Sequence, residues 1–257
     1  MDKDEFKSML TANAGHPQTV RGIFNWCDQW CERCSKTENC TVYKTSVHLP
    51  SDKPEDLYKT LSMFFETTMD MLKTYSEQSG IDIESLKDSD CVDEYDRKRL
   101  LIRNDDSLIL AKQYAKQVKQ WMDSLQKKEP VGMEIRMQDA MLADCLEVIQ
   151  WYQYIPEVKL TRALMAQKDE EEEQLTPYDS LGNAKLLLVS IERIIGAWGY
   201  VYQKFGDDED EILEMLVCLQ SLSKKIEQQF PDARSFIRPG LDEPQSIVSK
   251  QHEMVYV

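Results

Sequence analysis

The chain is poor in the residues that interrupt helices or bind metals through imidazole. It has nine glycines, nine prolines and three histidines among 257 residues. Alternation of apolar and polar residues is nowhere sustained, which argues against a fold built on β-sheets. No apolar run approaches the ~20 residues that a membrane-spanning helix needs. None of His16, His48 and His252 follows a glutamate by three positions, so a carboxylate-bridged di-iron bundle is not expected either.

Basic residues are outnumbered as well. The chain has 31 Lys and Arg against 46 Asp and Glu, which gives a formal net charge of −15. Such a charge repels nucleic acid and anionic lipid at long range, so neither nucleic acid nor a membrane is an expected partner. The first ten residues, MDKDEFKSML, lack the basic-then-apolar pattern of an export signal. We therefore expect a cytoplasmic protein whose partner, which the sequence does not identify, is another protein.

Helical periodicity of apolar residues runs through most of the chain. It predicts long helices over about 51–80, 106–127, 134–167, 183–205 and 212–230, joined by short polar loops. Pro156 should kink or divide the third helix, and the acidic run KDEEEEQ after it should form a solvated loop. The fourth helix is apolar on nearly every face, as is typical of the centre of a bundle. The prediction is an all-α, up-and-down bundle of about five long helices.

Composition divides this chain into three predicted segments. Residues 1–50 form a cysteine-rich N-terminal helix-turn segment, residues 51–230 form the helical bundle, and residues 231–257 form a C-terminal tail with little periodicity.

Four of the seven cysteines lie close together in the stretch NWCDQWCERCSKTENCTVYK. Pro17 is placed to open a helix without a strong breaker before Cys34, so Cys27, Cys31 and Cys34 would stand at i, i+4 and i+7 on one helical face. The polar turn SKTEN can return Cys40 toward them. In a reducing compartment, clustered thiols suggest metal binding before disulfides. The segment therefore predicts a metal site of four thiolates.

Two kinds of metal centre suit four thiolates. Zinc usually takes two C-x2-C pairs about twelve or more residues apart, and only one such pair occurs here. Iron–sulfur cubes also take four cysteines, often with three of them closely spaced. The spacing favours a [4Fe-4S] cluster in an accessory, redox-sensing or regulatory role. A structural zinc site in an adaptor protein stays open, as do unliganded thiols that pair on oxidation.

A local resemblance supports the cluster. The fragment CERCSKTENCTVY resembles the C-x2-C-x5-C element that ends the [4Fe-4S] loop of helix-hairpin-helix DNA glycosylases of the endonuclease III type. It is similar too to the C-terminal element of CRISPR-associated and recombination nucleases with iron–sulfur clusters. The resemblance covers about fifteen residues and implies that Cys31, Cys34 and Cys40 are three cluster ligands, with Cys27 as the fourth. It implies no enzymatic activity.

Cys27 departs from both of these patterns. The glycosylases place their first cysteine farther upstream, and the nucleases place theirs far away in sequence. The C-x3-C-x2-C part also resembles the radical S-adenosylmethionine motif. That family leaves one iron free for substrate and lies on a strand-rich barrel, whereas here Cys40 would close the site and strands are not predicted.

A second candidate site consists of charged residues on otherwise apolar helix faces: Lys159, Arg162, Lys185 and Glu192. Charges inside a core must pair or bind a counter-ion. We therefore expect at least two of the four to be buried, and Arg162 to have a carboxylate partner on another helix. The set would either bind an anionic ligand, as in an enzyme with an inter-helix anion-binding pocket, or fix the register of the helices. No catalytic residue can be named from the sequence.

Overall fold

The computed structural model of the chain describes residues 3–47, 54–80, 91–127, 139–173, 178–205 and 209–242. Within these ranges the chain is predominantly helical and contains no strand, so the predicted all-α bundle is confirmed. The chain divides into two compact units, residues 1–94 with 237–257 and residues 95–236. The first unit holds the cysteine-rich segment and the second holds the bundle.

The α-helices are numbered here in chain order. The first unit contains α1 (Lys3–Gly15), α2 (Thr41–Ser46) and α3 (Pro54–Ser79), and α4 (Cys91–Ile102) runs from the first unit into the second. The second unit continues with α5 (Asp106–Lys127), α6 (Ala140–Tyr152), α7 (Ile155–Glu173), α8 (Asp179–Tyr202) and α9 (Glu209–Gln229). This grouping places α3 with the cysteine-rich segment, whereas the predicted segments assign it to the bundle. Among the helices of the described ranges, none is long and apolar enough to cross a membrane.

Helix α8 is the centre of the second unit, as its sequence predicts. It packs against α6, α7 and α9, and thirteen of its residues are buried. Trp198 is fully buried with its ring edge-on to Trp121, 5.0 Å between centroids, and its indole N–H donates to the Tyr114 hydroxyl at 3.1 Å. Each fully buried large apolar side chain contributes roughly 1.5 to 3 kcal/mol. This buried core therefore fixes the position of the surrounding helices.

Pro156 divides the predicted third helix rather than bending it. Helix α6 ends at Tyr152 and α7 begins at Ile155, which places Pro156 in the first turn, where its missing N–H costs nothing. In the break between them, the Gln153 side chain donates to the carbonyl of Ala115 at 3.0 Å. The predicted start of this helix near Glu134 lies outside the described residues.

The acidic run KDEEEEQ is helical through Glu173, so the prediction of a solvated loop is wrong. The reason is Glu170, whose carboxylate is buried and caps the next helix. Its Oε1 accepts backbone N–H groups of Tyr178 at 2.9 Å, Asp179 at 2.9 Å and Ser180 at 3.1 Å. These are orphan donors of the first turn of α8, and a negative charge is favourable at a helix N-terminus. Sequence periodicity carries no sign of a cap supplied from another helix.

The apolar stripe whose helical spacing predicts α3 is mostly exposed; it consists of Leu57, Leu61, Phe64, Phe65, Thr68, Leu72 and Tyr75. The helix forms as expected, but it packs on α1 along the face of Thr60, Phe64 and Thr67, which are spaced at i, i+4 and i+7. Phe64 meets Phe6 with 4.3 Å between ring centroids. The contact face is rotated by about one residue from the predicted stripe. The stripe residues left exposed are Leu57, Leu61, Phe65, Thr68, Leu72 and Tyr75.

Glu170→Ala should lower the free energy of unfolding by about 2 kcal/mol, because three backbone donors at the start of α8 lose their acceptor. Glu171→Ala is the matched control, since the exposed Glu171 forms a surface ion pair with Lys168, and its effect should stay within about 0.5 kcal/mol. Urea denaturation followed by circular dichroism measures both. Equal stability of the two variants would show that the cap does not hold α8.

Candidate metal centre in the cysteine-rich segment

The segment from Pro17 to Cys40 is not a continuous helix, so the predicted alignment of three thiols on one helical face is wrong. The chain instead forms short 3₁₀ turns at Ile23–Trp26, Cys31–Arg33 and Thr37–Asn39. Two residues have left-handed backbone angles, Gly22 with φ 70° and Gln29 with φ 58°. An α-helix requires right-handed angles at every residue, so these two positions turn the chain where the helix was expected.

The four cysteines nevertheless line one cavity. Cys27, Cys31, Cys34 and Cys40 are reduced, half-buried thiols around a space of about 30 Å³. Within the described ranges, no group of three or more His, Cys, Asp or Glu side chains is arranged to hold a metal ion. The thiols therefore share a cavity without meeting around a single point.

Hydrogen bonds close the turns that carry the thiols. The N–H of Cys34 donates to the carbonyl of Cys31 at 3.1 Å, which closes the turn of the C-x2-C pair. The N–H of Lys36 donates to the Cys34 sulfur at 3.3 Å, and the N–H of Cys40 donates to the carbonyl of Thr37 at 3.1 Å. In iron–sulfur centres, hydrogen bonds donated to sulfur tune the reduction potential.

The two ends of the cysteine-rich segment are joined through Asn39. The N–H of Val20 donates to the Asn39 carbonyl at 3.0 Å, and the Asn39 side chain donates to the Gln18 carbonyl at 2.6 Å. The hydroxyl of the buried Thr19 donates to the Asn13 carbonyl at 2.8 Å, which links the segment to α1. The loop that carries the cysteines is therefore closed on itself and attached to a helix.

Residues 237–242 pack against the cysteine-rich segment from far along the chain. Arg238 makes a bidentate ion pair with Asp242, at 2.7 and 3.0 Å, and also donates to the carbonyl of Trp26 at 3.4 Å. Leu241 lines the cavity of the four thiols. Sequence periodicity could not find this contact, because it joins residues more than two hundred positions apart. Part of the predicted tail over 231–257 is thus a wall of the candidate site, and residues 243–257 lie outside the described ranges.

The environment of Cys31 disfavours its ionised form. Burial raises the pKa of the Cys31 thiol, and repulsion from the neighbouring Cys40 and Cys34 thiolates raises it further. The carboxylates of Glu32 and Asp28 act in the same direction. Several groups that are negative when ionised therefore lie close together, in a cavity that Lys36 also lines. A bound metal ion supplies positive charge and reverses the balance in favour of thiolates.

The predicted set of charged residues does not form one site. None of Lys159, Arg162, Lys185 and Glu192 is buried, so that prediction is wrong. Lys185 reaches past the apolar face to donate to the backbone carbonyl of Arg234 at 2.6 Å, and the exposed Glu192 pairs with the Arg234 guanidinium at 2.6 Å. Long side chains lie along apolar surface and keep their charge in water, which the burial prediction ignored.

One part of that prediction is confirmed. Arg162 of α7 pairs with Asp179 of α8 at 2.7 Å, so its carboxylate partner does come from a different helix. The Arg162 side chain is 66% exposed, however, and an exposed ion pair contributes about 0 to 1 kcal/mol rather than the value of a buried one. The pair does not determine the stability of the bundle.

Comparison with protein families, with curated proteins and with solved structures finds no match to this chain. The short resemblance over the cysteines is therefore not extended by a likeness over a whole domain. A function has to be argued from the chain's own residues and their geometry.

Gly240→Ala should loosen the wall of the cysteine cavity. Gly240 has φ 74°, and a Cβ there would lie 2.9 Å from Val20 Cγ1 and 3.1 Å from Ile23 Cδ1. We expect the free energy of unfolding to fall by roughly 1 to 3 kcal/mol, and the four thiols to react faster with a thiol reagent. Both are measured on the metal-free protein.

The control for this variant is Gly196→Ala. Gly196 lies in α8 with nothing within 4 Å of its added Cβ, so alanine there should be neutral or stabilising, with no effect on thiol reactivity. If Gly240→Ala behaved like this control, residues 237–242 would not be a wall of the site.

Proposed function

We propose that Cys27, Cys31, Cys34 and Cys40 bind a [4Fe-4S] cluster and that the protein has an accessory, redox-sensing or regulatory role. The observation that carries this proposal is the shared cavity: four reduced thiols from one short segment line it together. Turns of the backbone, and not chance packing of distant cysteines, bring them there.

The sequence spacing of the cysteines supports a cluster over a single zinc ion. Zinc sites of four cysteines usually use two C-x2-C pairs, and only one such pair occurs here. Iron–sulfur cubes also take four cysteines, often with three of them closely spaced, as Cys27, Cys31 and Cys34 are.

The surroundings of the cavity support a redox or sensing role. Ile23 and Trp30 are 2% and 6% exposed, so they shield the site on the protein side. The Arg33 guanidinium lies 4.0 Å over the Trp30 ring, which adds a cation–π contact to this wall. The cysteines themselves are half-buried. A cluster held here would lie near the surface, within reach of an electron-transfer partner or of an oxidant.

A structural zinc site in an adaptor protein is the second candidate, and the size of the cavity favours it. The cavity of about 30 Å³ is close to the volume that one water molecule occupies in the liquid. It has room for one ion, whereas a cube requires the cysteine side chains to turn outward. The turns that carry the cysteines are short, so this movement needs no rearrangement of the helices.

Anaerobic purification followed by metal analysis distinguishes the two candidates. The proposal predicts a brown protein with four irons and four sulfides per chain. Cys34→Ser should lose iron and lower the melting temperature, because thiolate ligation stabilises the local fold. Cys145→Ala is the control: Cys145 is buried in α6 and does not line the cavity, so the variant should keep its iron.

Colourless wild-type protein with one zinc per chain would overturn the cluster and support the second candidate. Full iron content in Cys34→Ser would show that Cys34 is not a ligand. Wild-type protein that binds neither metal after anaerobic reconstitution would overturn both candidates.

A further inference from the structure

The second unit contains a groove that is separate from the cysteines. It has a volume of about 600 Å³ and lies between the region of α4 and the start of α5 on one side and α7 on the other, with Asp179 of α8 at its edge. Small-molecule sites typically occupy 300 to 1,000 Å³. All of its lining residues belong to the second unit. The groove is therefore large enough for an organic ligand.

Unpaired cations concentrate at this groove although the chain carries a net charge of −15. Four basic residues and three acidic residues line it. Two of the acids already have cations: Asp179 pairs with Arg162 at 2.7 Å, and Asp169 pairs with Lys98 from α4. The remaining acid is Glu157.

Three of the basic residues are available to interact with a ligand: Arg99, Arg103 and Lys112. They are exposed and have no ion-pair partner in the part of the chain that the structure describes. Arg99 lies in the last turn of α4 and Arg103 directly follows the last residue of that helix, and both line the groove. Once the internal pairs are removed, three cations face one acid across the groove. The balance favours an anionic ligand.

The apolar residues of the groove indicate what else the ligand contains. Its floor is formed by Ile102, Leu108 and Ala166, all of which are buried. Its rim carries Tyr95, 51% exposed, and Val158, 59% exposed. Exposed apolar side chains beside unpaired cations are suited to a ligand that has an anionic group and an apolar body.

We propose that this groove binds a small organic phosphate, with the phosphate at Arg103 and Lys112 and an aromatic or aliphatic body against Tyr95 and Val158. Guanidinium and ammonium groups are the usual donors to phosphate oxygens. The binding of this anion does not depend on the metal centre, since no cysteine of that centre lines the groove.

Calorimetric titration of the full chain with naphthyl phosphate tests the proposal. The ligand should bind at a single saturable site, and more tightly than inorganic phosphate, which lacks the apolar body. In the Arg103→Gln/Lys112→Gln variant the affinity should fall by at least about 10-fold, because two charged hydrogen-bond donors are lost.

The control is Arg97→Gln/Lys116→Gln. It removes the same two residue types, here from α4 and α5, and changes the net charge equally, but neither residue lines the groove. The affinity of this control variant for naphthyl phosphate should stay within about twofold of that of the wild type. Circular dichroism should show the same helix content in all three proteins.

Three results would overturn this proposal. One is the absence of naphthyl phosphate binding, and another is an equal loss of affinity in the two double variants. The third is binding to phosphatidic acid vesicles without binding of naphthyl phosphate. That result would mean that the groove recognises a membrane surface rather than a soluble phosphate. Iron content should be unchanged in both double variants, so failure here and failure of the metal proposal are distinguishable.

Discussion

Asn39 joins the two ends of the cysteine-rich segment, and the geometry of the candidate metal centre depends on that closure. Its backbone carbonyl accepts from Val20 and its side chain donates to Gln18. The segment between these residues consists of short 3₁₀ turns, which have little stability alone. Because the loop is closed, the turns hold Cys27 through Cys40 around one space. Without the closure, the entropy of an open loop would oppose any arrangement of four thiols.

The two units differ in what stabilises them. The bundle is held by apolar burial around α8, whose fully buried side chains include Leu187, Ile191 and Trp198. The cysteine-rich segment has only a few buried large side chains, among them Trp26 and Trp30, and relies on hydrogen bonds and on the docking of residues 237–242. A metal bound to thiolates contributes folding free energy in such a small, weakly packed segment. We infer that metal binding matters for the stability of the first unit more than for that of the bundle.

Prediction from sequence succeeded where a helix is governed by its own apolar pattern. The bounds of α5 and the burial of α8 follow from the 3.6-residue period, and the break at Pro156 follows from the missing N–H. It failed where a distant residue decides the local structure. Glu170 caps α8 from another helix and so keeps an acidic run helical, and α1 selects a face of α3 beside the apolar stripe. For the four cysteines, the spacing correctly predicted that the thiols lie near one another. The predicted local structure was wrong, because turns and not a helix position them.

The sequence indicated one of the basic residues that line the groove of the second unit, but not the others. Arg162 was singled out as a charge on an apolar face, and it does line the groove. Arg99, Arg103 and Lys112 were missed because each is an ordinary exposed residue on its own helix, and only the packing of α4, α5 and α7 brings them together. The signal that the sequence offered for this basic cluster was the four-residue spacing of Arg99 and Arg103.

X-ray absorption at the iron and zinc edges of anaerobically purified protein tests the central claim most directly, because it reads the ligand atoms around the metal. The account predicts iron with a first shell of sulfur alone and neighbouring irons behind it, with both features lost in Cys34→Ser. A zinc ion with four sulfurs at about 2.3 Å would support the thiolate site but show that it holds zinc, the second candidate, and not a cluster. A first shell of oxygen or nitrogen would contradict the claim that the four cysteines form the metal centre.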